Sequence, residues 1–98
     1  MSAPQTVLIT GAAGHLGQAV AATFRQRGAR LVLAARGAEA LERVAAQCAR
    51  LGAQAIAVPT DVTDAKAVRA LAGAALRRFG GIDVWINNVG VGAVGRFE

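Results

Sequence analysis

Val7-Leu8-Ile9-Thr10-Gly11-Ala12-Ala13-Gly14-His15-Leu16-Gly17 decides how this chain is read. An apolar run meets a glycine turn, and the turn opens an amphipathic helix. Strand, glycine turn and helix in this order form the arrangement that holds a dinucleotide pyrophosphate. The glycines let the backbone approach the ligand, and the helix N-terminus offers free N–H groups and a partial positive charge. Gly11 and Gly14 permit backbone geometry and a close approach that a Cβ would obstruct. Gly17 lets the helix pack tightly on the strand or on the pyrophosphate, and the Thr10 hydroxyl can bridge the turn.

Outward from this stretch, the apolar period alternates between strand and helix. Gln5 to Thr10 reads as a short buried strand. Leu16, Val20 and Phe24 recur at helical spacing, with Arg25 and Gln26 on the polar side, and Gly28 stands at the C′ position. Arg30 to Ala35 is a second strand. Leu41, Val44, Ala45 and Cys48 mark a second helix that closes near Gly52. Gln54 to Pro59 is a third strand. Asp64 is an N-cap for a third helix whose apolar face is Val68, Leu71, Ala72, Ala75 and Phe79, and Gly80-Gly81 stops it. Ile82 to Asn87 is a fourth strand, and the tail from Gly90 to Glu98 reads as a glycine-rich loop.

The order is βαβαβαβ, with strands apolar on both faces, which signals a parallel sheet covered by helices on both sides. Right-handed crossovers and a change of direction after the third strand predict the spatial order 3-2-1-4. No repeat, linker or second domain is visible, and residues 1–98 read as one α/β unit.

Composition narrows the functional classes. The 98 residues are 54% hydrophobic and 17% charged, the balance of a globular chain. The net charge of +5 is carried almost wholly by arginine, Lys66 being the sole lysine. Arg25, Arg27, Arg30, Arg43, Arg50, Arg69, Arg77 and Arg78 are spread over several helices and their ends, without a basic tract or interleaved aromatics, which argues against nucleic acid as a partner. The single cysteine, Cys48, excludes an intrachain disulfide framework and a multi-cysteine zinc site, and its place on an apolar helix face suits a buried thiol. No metal site is nominated. Neither a signal peptide nor a membrane-spanning run is evident, so the cytoplasm is the expected compartment.

Four features in register resemble the N-terminal part of a short-chain dehydrogenase/reductase, with its NAD(P)-binding Rossmann fold. They are the glycine turn, Arg36 just past the second strand, Asp61-Val62 just past the third, and Asn87-Asn88-Val89-Gly90 at the end of the fourth. The glycine spacing is TGxxGxxG rather than the commoner TGxxxGxG of single-domain members, with His15 where the middle glycine would stand. That spacing is the one found in the extended, sugar-modifying branch. Asn87-Asn88-Val89-Gly90 resembles the NNAG of single-domain reductases and favours that branch.

The resemblance implies a cofactor site made of Thr10, Gly11, Gly14, His15, Leu16, Gly17, Arg36, Asp61, Val62, Asn88 and Gly90. An acid after the second strand would hold both ribose hydroxyls of NAD. Arg36 stands there instead, and a guanidinium can pair bidentately with a phosphate and stack on adenine, so NADP(H) is expected over NAD(H). Asp61 would accept from the adenine amino group, with Val62 lining the ring. Asn88 and Gly90 would line the ribose side. Asn87 is expected to hydrogen-bond within the sheet, and Trp85 to fill core against a helix. His15 either contacts a phosphate or caps the helix.

Members of this family transfer hydride between a nicotinamide and a carbonyl or alcohol, using a tyrosine, a lysine, a serine and a further asparagine beyond the fourth strand. This chain has no tyrosine, its only serine is Ser2, and Lys66 lies on an early helix, so no catalytic residue is nominated. The expectation is a partial Rossmann domain truncated after the fourth strand, with that strand as a bare edge. The parent would be a homo-oligomeric oxidoreductase. Two other readings remain: a non-catalytic dinucleotide-binding module or sensor, and an extended-type enzyme acting on nucleotide sugars.

Overall fold

The computed structural model describes residues 4–89 and 93–97. Strand β1 (Thr6–Thr10) leads through the glycine turn into helix α1 (His15–Gln26). Strand β2 (Arg30–Ala35), helix α2 (Ala38–Arg50), strand β3 (Ala55–Pro59), helix α3 (Ala65–Phe79), strand β4 (Val84–Val89) and strand β5 (Ala93–Phe97) follow. The sheet order is β3-β2-β1-β4-β5. The first four strands are parallel, in the expected 3-2-1-4 order, with Leu8 opposite Val32 on one side and Trp85 on the other.

Alternation along each strand divides the core into two layers, because successive side chains point to opposite faces. Val7, Ile9, Leu31 and Leu33 face Ala21 of α1 and Leu41, Val44, Ala45 and Cys48 of α2. Leu8, Val32 and Ala34 face Leu71 and Ala75 of α3, with Trp85 and Phe79 packed against them. The sheet is thus covered on both faces, which is why Val7 to Ile9 of β1 and Leu31 to Ala35 of β2 are apolar without alternation. Trp85 takes the core position expected of it.

Local chemistry sets the element ends. Asp64 caps α3, its Oδ1 accepting from the Lys66 amide at 3.0 Å. Gly80 ends the helix in the left-handed region at φ +84°, returning its amide to the Leu76 carbonyl.

Three expectations are corrected. The fourth strand begins and ends two residues later than the sequence suggests. Asp83 explains its start, because its carboxylate accepts from the Thr6 amide at 2.7 Å and its own amide donates to the Thr6 carbonyl at 2.9 Å. The tail is not wholly loop: β5 runs antiparallel to β4, with Asn87 opposite Gly95, so β4 is not a bare edge. Leu16 does not join the core. It is 48% exposed, and the buried seam of α1 runs through Gly17 and Ala21 instead.

Candidate functional site

Parallel pairing gathers the C-terminal ends of β1 to β4 at one edge of the sheet, and the loops that follow are tied together there. The Ala12 amide donates to the Ala34 carbonyl at 3.0 Å, and the Thr60 amide to the Ala35 carbonyl at 2.8 Å. Ligands of open parallel sheets bind outside this edge, where neighbouring connections leave in opposite directions. Here that point lies between β1 and β4.

At that point the glycine turn and the end of β4 interlock. Thr10 Oγ1 accepts from the Asn88 amide at 3.0 Å and donates toward Asn87 Oδ1 at 3.2 Å. Trp85 Nε1 also donates to Asn87 Oδ1, at 3.3 Å. Asn87 therefore serves the sheet, as expected, and Thr10 bridges strands rather than closing its own turn. Asn88 is buried, its Nδ2 donating to the Gly11 carbonyl at 3.4 Å.

The three glycines of the turn differ in what the chain requires of them. Gly11 has φ +63°, and a Cβ there would lie 2.2 Å from the Asn88 carbonyl oxygen. A Cβ on Gly17 would lie 2.1 Å from the Gly11 carbonyl oxygen. Both positions are closed by backbone. Gly14 is extended, and its Cβ would meet only the Gly11 carbonyl oxygen, at an ordinary 3.6 Å.

Gly14 is the N-cap of α1. Its own amide donates back to the Gly11 carbonyl at 3.2 Å, and the first intrahelical bond runs from the Gln18 amide to the Gly14 carbonyl at 2.9 Å. The amides of His15, Leu16 and Gly17 consequently have no intrahelical acceptor. Among the described residues no side chain caps this end, so His15, which is exposed, is not the cap that one reading of the sequence made it. Leu16 lies beside it, exposed at the same helix end.

Across the edge, Arg36 and Asp61 meet, Nη2 to Oδ2 at 3.2 Å, with side chains 78% and 39% exposed. Asp61 Oδ1 accepts from the Thr63 hydroxyl at 2.6 Å and the Thr63 amide at 3.0 Å. These Thr63 bonds, with a lesser contribution from Arg36, hold the Asp61 carboxyl below the usual carboxylate range, although burial pushes the other way. Val62 is exposed next to it. Thr63 escaped the reading of the sequence; its signal is the Asp-x-Thr spacing, which lets a side-chain carboxylate fold back on the amide two residues on. Gly90 lies outside the described residues. Among the described residues no three of His, Cys, Asp or Glu gather to hold a metal, and no helix is long and apolar enough to cross a membrane.

The model of the short chain dehydrogenase family matches residues 5–98. A 1-deoxy-11-beta-hydroxypentalenate dehydrogenase from Streptomyces exfoliatus is 43% identical over 93 residues, covering 94% of this chain and 34% of that protein. An 11-beta-hydroxysteroid dehydrogenase A from Sesamum indicum is 37% identical over 97 residues, covering 98% of this chain and 28% of that protein. Among solved structures, a short chain dehydrogenase/reductase from Burkholderia phymatum in complex with NAD superposes with a TM-score of 0.87 at 41% identity, covering 92% of this chain and 32% of that one. An L-sorbose reductase from Gluconobacter frateurii complexed with NADPH and L-sorbose gives a TM-score of 0.86 at 32% identity, covering 93% and 35%. The chain spans about a third of the length of the curated relatives it matches. These relatives are dehydrogenases and a reductase, which favours neither the nucleotide-sugar branch nor a non-catalytic module. With its partial Rossmann sheet, its glycine turn and a match across nearly its whole length, the chain belongs to the short chain dehydrogenase family.

Proposed function

We propose that this chain is the cofactor-binding part of an NADP(H)-dependent oxidoreductase that moves hydride between a nicotinamide and a carbonyl or alcohol substrate. Neighbouring structures hold NAD in one case and NADPH in another, so the family alone leaves the choice between them open. Arg36 carries the choice made here. It follows β2 directly, where an acid would hold both ribose hydroxyls, and its guanidinium is largely in solvent.

The residues fit such a cofactor. The free amides of His15, Leu16 and Gly17 and the open space beside Gly14 suit a pyrophosphate at the start of α1. Arg36 would take a 2′-phosphate as a fork of donors, while Asp61 and Val62 would meet the adenine. Thr10 and Asn88 fix the floor of the site, and Gly90 completes its ribose side in this reading. The bound nicotinamide supplies or accepts the hydride. The residues of this chain bind and orient it. The chain holds no tyrosine, so no general acid/base is assigned within it, and these 98 residues alone are proposed to bind without turnover. The same reading makes the protein a cytoplasmic homo-oligomer that engages neither nucleic acid nor membrane.

Titration of the protein with NADPH and with NADH, before and after Arg36→Asp, tests the reading. NADPH affinity is expected to fall about tenfold to a hundredfold, the worth of a charge-assisted hydrogen bond at about 1.5–3 kcal/mol, while NADH affinity holds or rises. An unchanged ratio of the two affinities would make Arg36 a bystander and remove the basis for NADP(H).

A further inference from the structure

We infer that Asp61, pinned by Thr63, tempers the preference for NADP(H) by competing with the cofactor's 2′-phosphate for the Arg36 guanidinium. The inference rests on Arg36 being the phosphate partner and adds what restrains it.

The asymmetry of the ion pair carries the argument. Asp61 is the fixed member. Its Oδ1 accepts two hydrogen bonds from Thr63, at 2.6 and 3.0 Å, and the Asp64 amide donates to its carbonyl at 3.0 Å, closing the turn. Arg36 is the free member. Its side chain is 78% exposed and touches Asp61 through one nitrogen at 3.2 Å. Charge-assisted bonds that lock a guanidinium are shorter, about 2.7–2.9 Å, and commonly bidentate. Asp61 therefore does not hold Arg36 in a set pose. It neutralises an otherwise mobile cation from a position it cannot leave.

The two cofactors meet this pair differently. NAD(H) brings no 2′-phosphate, so the pair can persist beside its ribose. NADP(H) brings a near-dianion that must draw Arg36 away or share it. Two anions on one guanidinium stand within about the Debye length, roughly 8 Å at physiological salt, so screening does not remove their repulsion. Thr63 prevents Asp61 from swinging aside. Any adenine contact made by Asp61 is common to both cofactors and cancels in the ratio of their affinities, whereas competition for Arg36 does not.

The test is equilibrium binding of NADPH and NADH to the intact protein carrying Asp61→Asn, Thr63→Val, Thr63→Ser, Arg36→Ala or the Arg36→Ala/Asp61→Asn pair. Asparagine keeps the carbonyl that Thr63 donates to, so the turn is retained. Asp61→Asn is expected to raise the NADPH-to-NADH affinity ratio about threefold to tenfold, more at low salt than at high salt. Thr63→Val should raise it in the same direction by less, and Thr63→Ser should leave it unchanged. On the Arg36→Ala background, Asp61→Asn should move the ratio by clearly less, because only direct repulsion between Asp61 and the phosphate is left to relieve. A ratio that stays level or falls on Asp61→Asn overturns the inference, as does an equal gain with Arg36 absent, which would show Asp61 acting without Arg36. Arg36→Ala separates the two levels. If it leaves the ratio unchanged, the NADP(H) reading itself fails. If it lowers the ratio while Asp61→Asn does nothing, that reading stands and only the competition falls.

Discussion

Alanine at Gly17 and alanine at Gly73 should move stability in opposite directions, although both replace a glycine inside a helix. Intrinsic propensity favours alanine by about 1 kcal/mol in each case. At Gly73 the new methyl would meet only Arg77 Nη1, at 3.3 Å, the far end of a flexible side chain. Most of the gain should survive there, about 0.5–1 kcal/mol, or roughly 2–8 °C in Tm for a domain of this size. At Gly17 the methyl would lie 2.1 Å from the Gly11 carbonyl oxygen, 2.7 Å from Ala12 Cα and 2.9 Å from the Gly11 carbonyl carbon, all main chain. Gly11 has little room to yield, because the Asn88 carbonyl occupies the space beside it where a Cβ would stand. Helix α1 must lift by most of an ångström from the strand it covers. Overpacking costs about 1–3 kcal/mol, and contacts with main chain on every side place this case at the upper end. After the propensity gain, a net loss of about 2 kcal/mol remains, or a Tm lower by roughly 8–16 °C. Thermal melts of both variants beside the parent, followed by far-UV circular dichroism, would show it. A Gly17→Ala protein that melts at or above the parent refutes the close approach between α1 and the turn.

Gly14→Ala should lower the melting temperature only modestly, by the cost of a poorer N-cap residue, since among the described residues its methyl meets just an ordinary 3.6 Å contact, yet weaken NADPH by about tenfold or more through the loss of a close backbone approach; equal binding would move the pyrophosphate away from this turn. Asp64→Ala removes the bond to the Lys66 amide and should cost about 0.5–2 kcal/mol, read from the denaturation midpoint, with Asp64→Asn or Asp64→Ser recovering most of it. Burial pushes the Cys48 thiol up, with Arg25 pulling the other way by less. Iodoacetamide should therefore react slowly with the native protein at pH 8 and rapidly after denaturation, and equal rates would place Cys48 outside the core.

The sequence made most of the sheet legible because its strands are buried on both faces and its helices carry a clear period. The failures have specific causes. In α1 the spacing of Leu16, Val20 and Phe24 identifies the helix, and Val20 and Phe24 do pack against the core, but Leu16 stays exposed and the fully buried positions are Gly17 and Ala21. Hydrophobic periodicity follows large residues, whereas the close approach at the turn demands small ones, Gly17 and Ala21. The limits of β4 depend on partners far along the chain: Asp83 on the Thr6 amide at its start and Thr10 on the Asn88 amide near its end. Asn88, read as lying just past the strand, is held in it by the Thr10 contact. Strand β5 is concealed in a glycine-rich segment whose pairing exists only because β4 offers an edge. The Arg36–Asp61 pair joins residues 25 positions apart, and no local pattern announces it. Each position had been nominated on its own; their meeting, and the hold of Thr63 on Asp61, became visible only in three dimensions.

The glycine turn shows how folding and binding can be told apart in one motif. Folding accounts for Gly11 and Gly17, since main chain occupies the space of a Cβ at both. It does not account for Gly14, which has an extended backbone and only an ordinary contact. The same turn leaves three amides of α1 without intrahelical acceptors and aims the positive end of the helix outward beside that position. A motif selected for packing alone would tolerate alanine at 14, at the modest cost of a poorer N-cap residue. An anion drawn against those amides would not, because a methyl there intrudes on its path to the backbone. In the proposed reading the turn divides its labour: Gly11 and Gly17 bring α1 onto the sheet edge, and Gly14 leaves room for an anion at the helix end. Stability measured at 17 and cofactor affinity measured at 14 are consequently separable, and a protein in which the two always changed together would contradict this division.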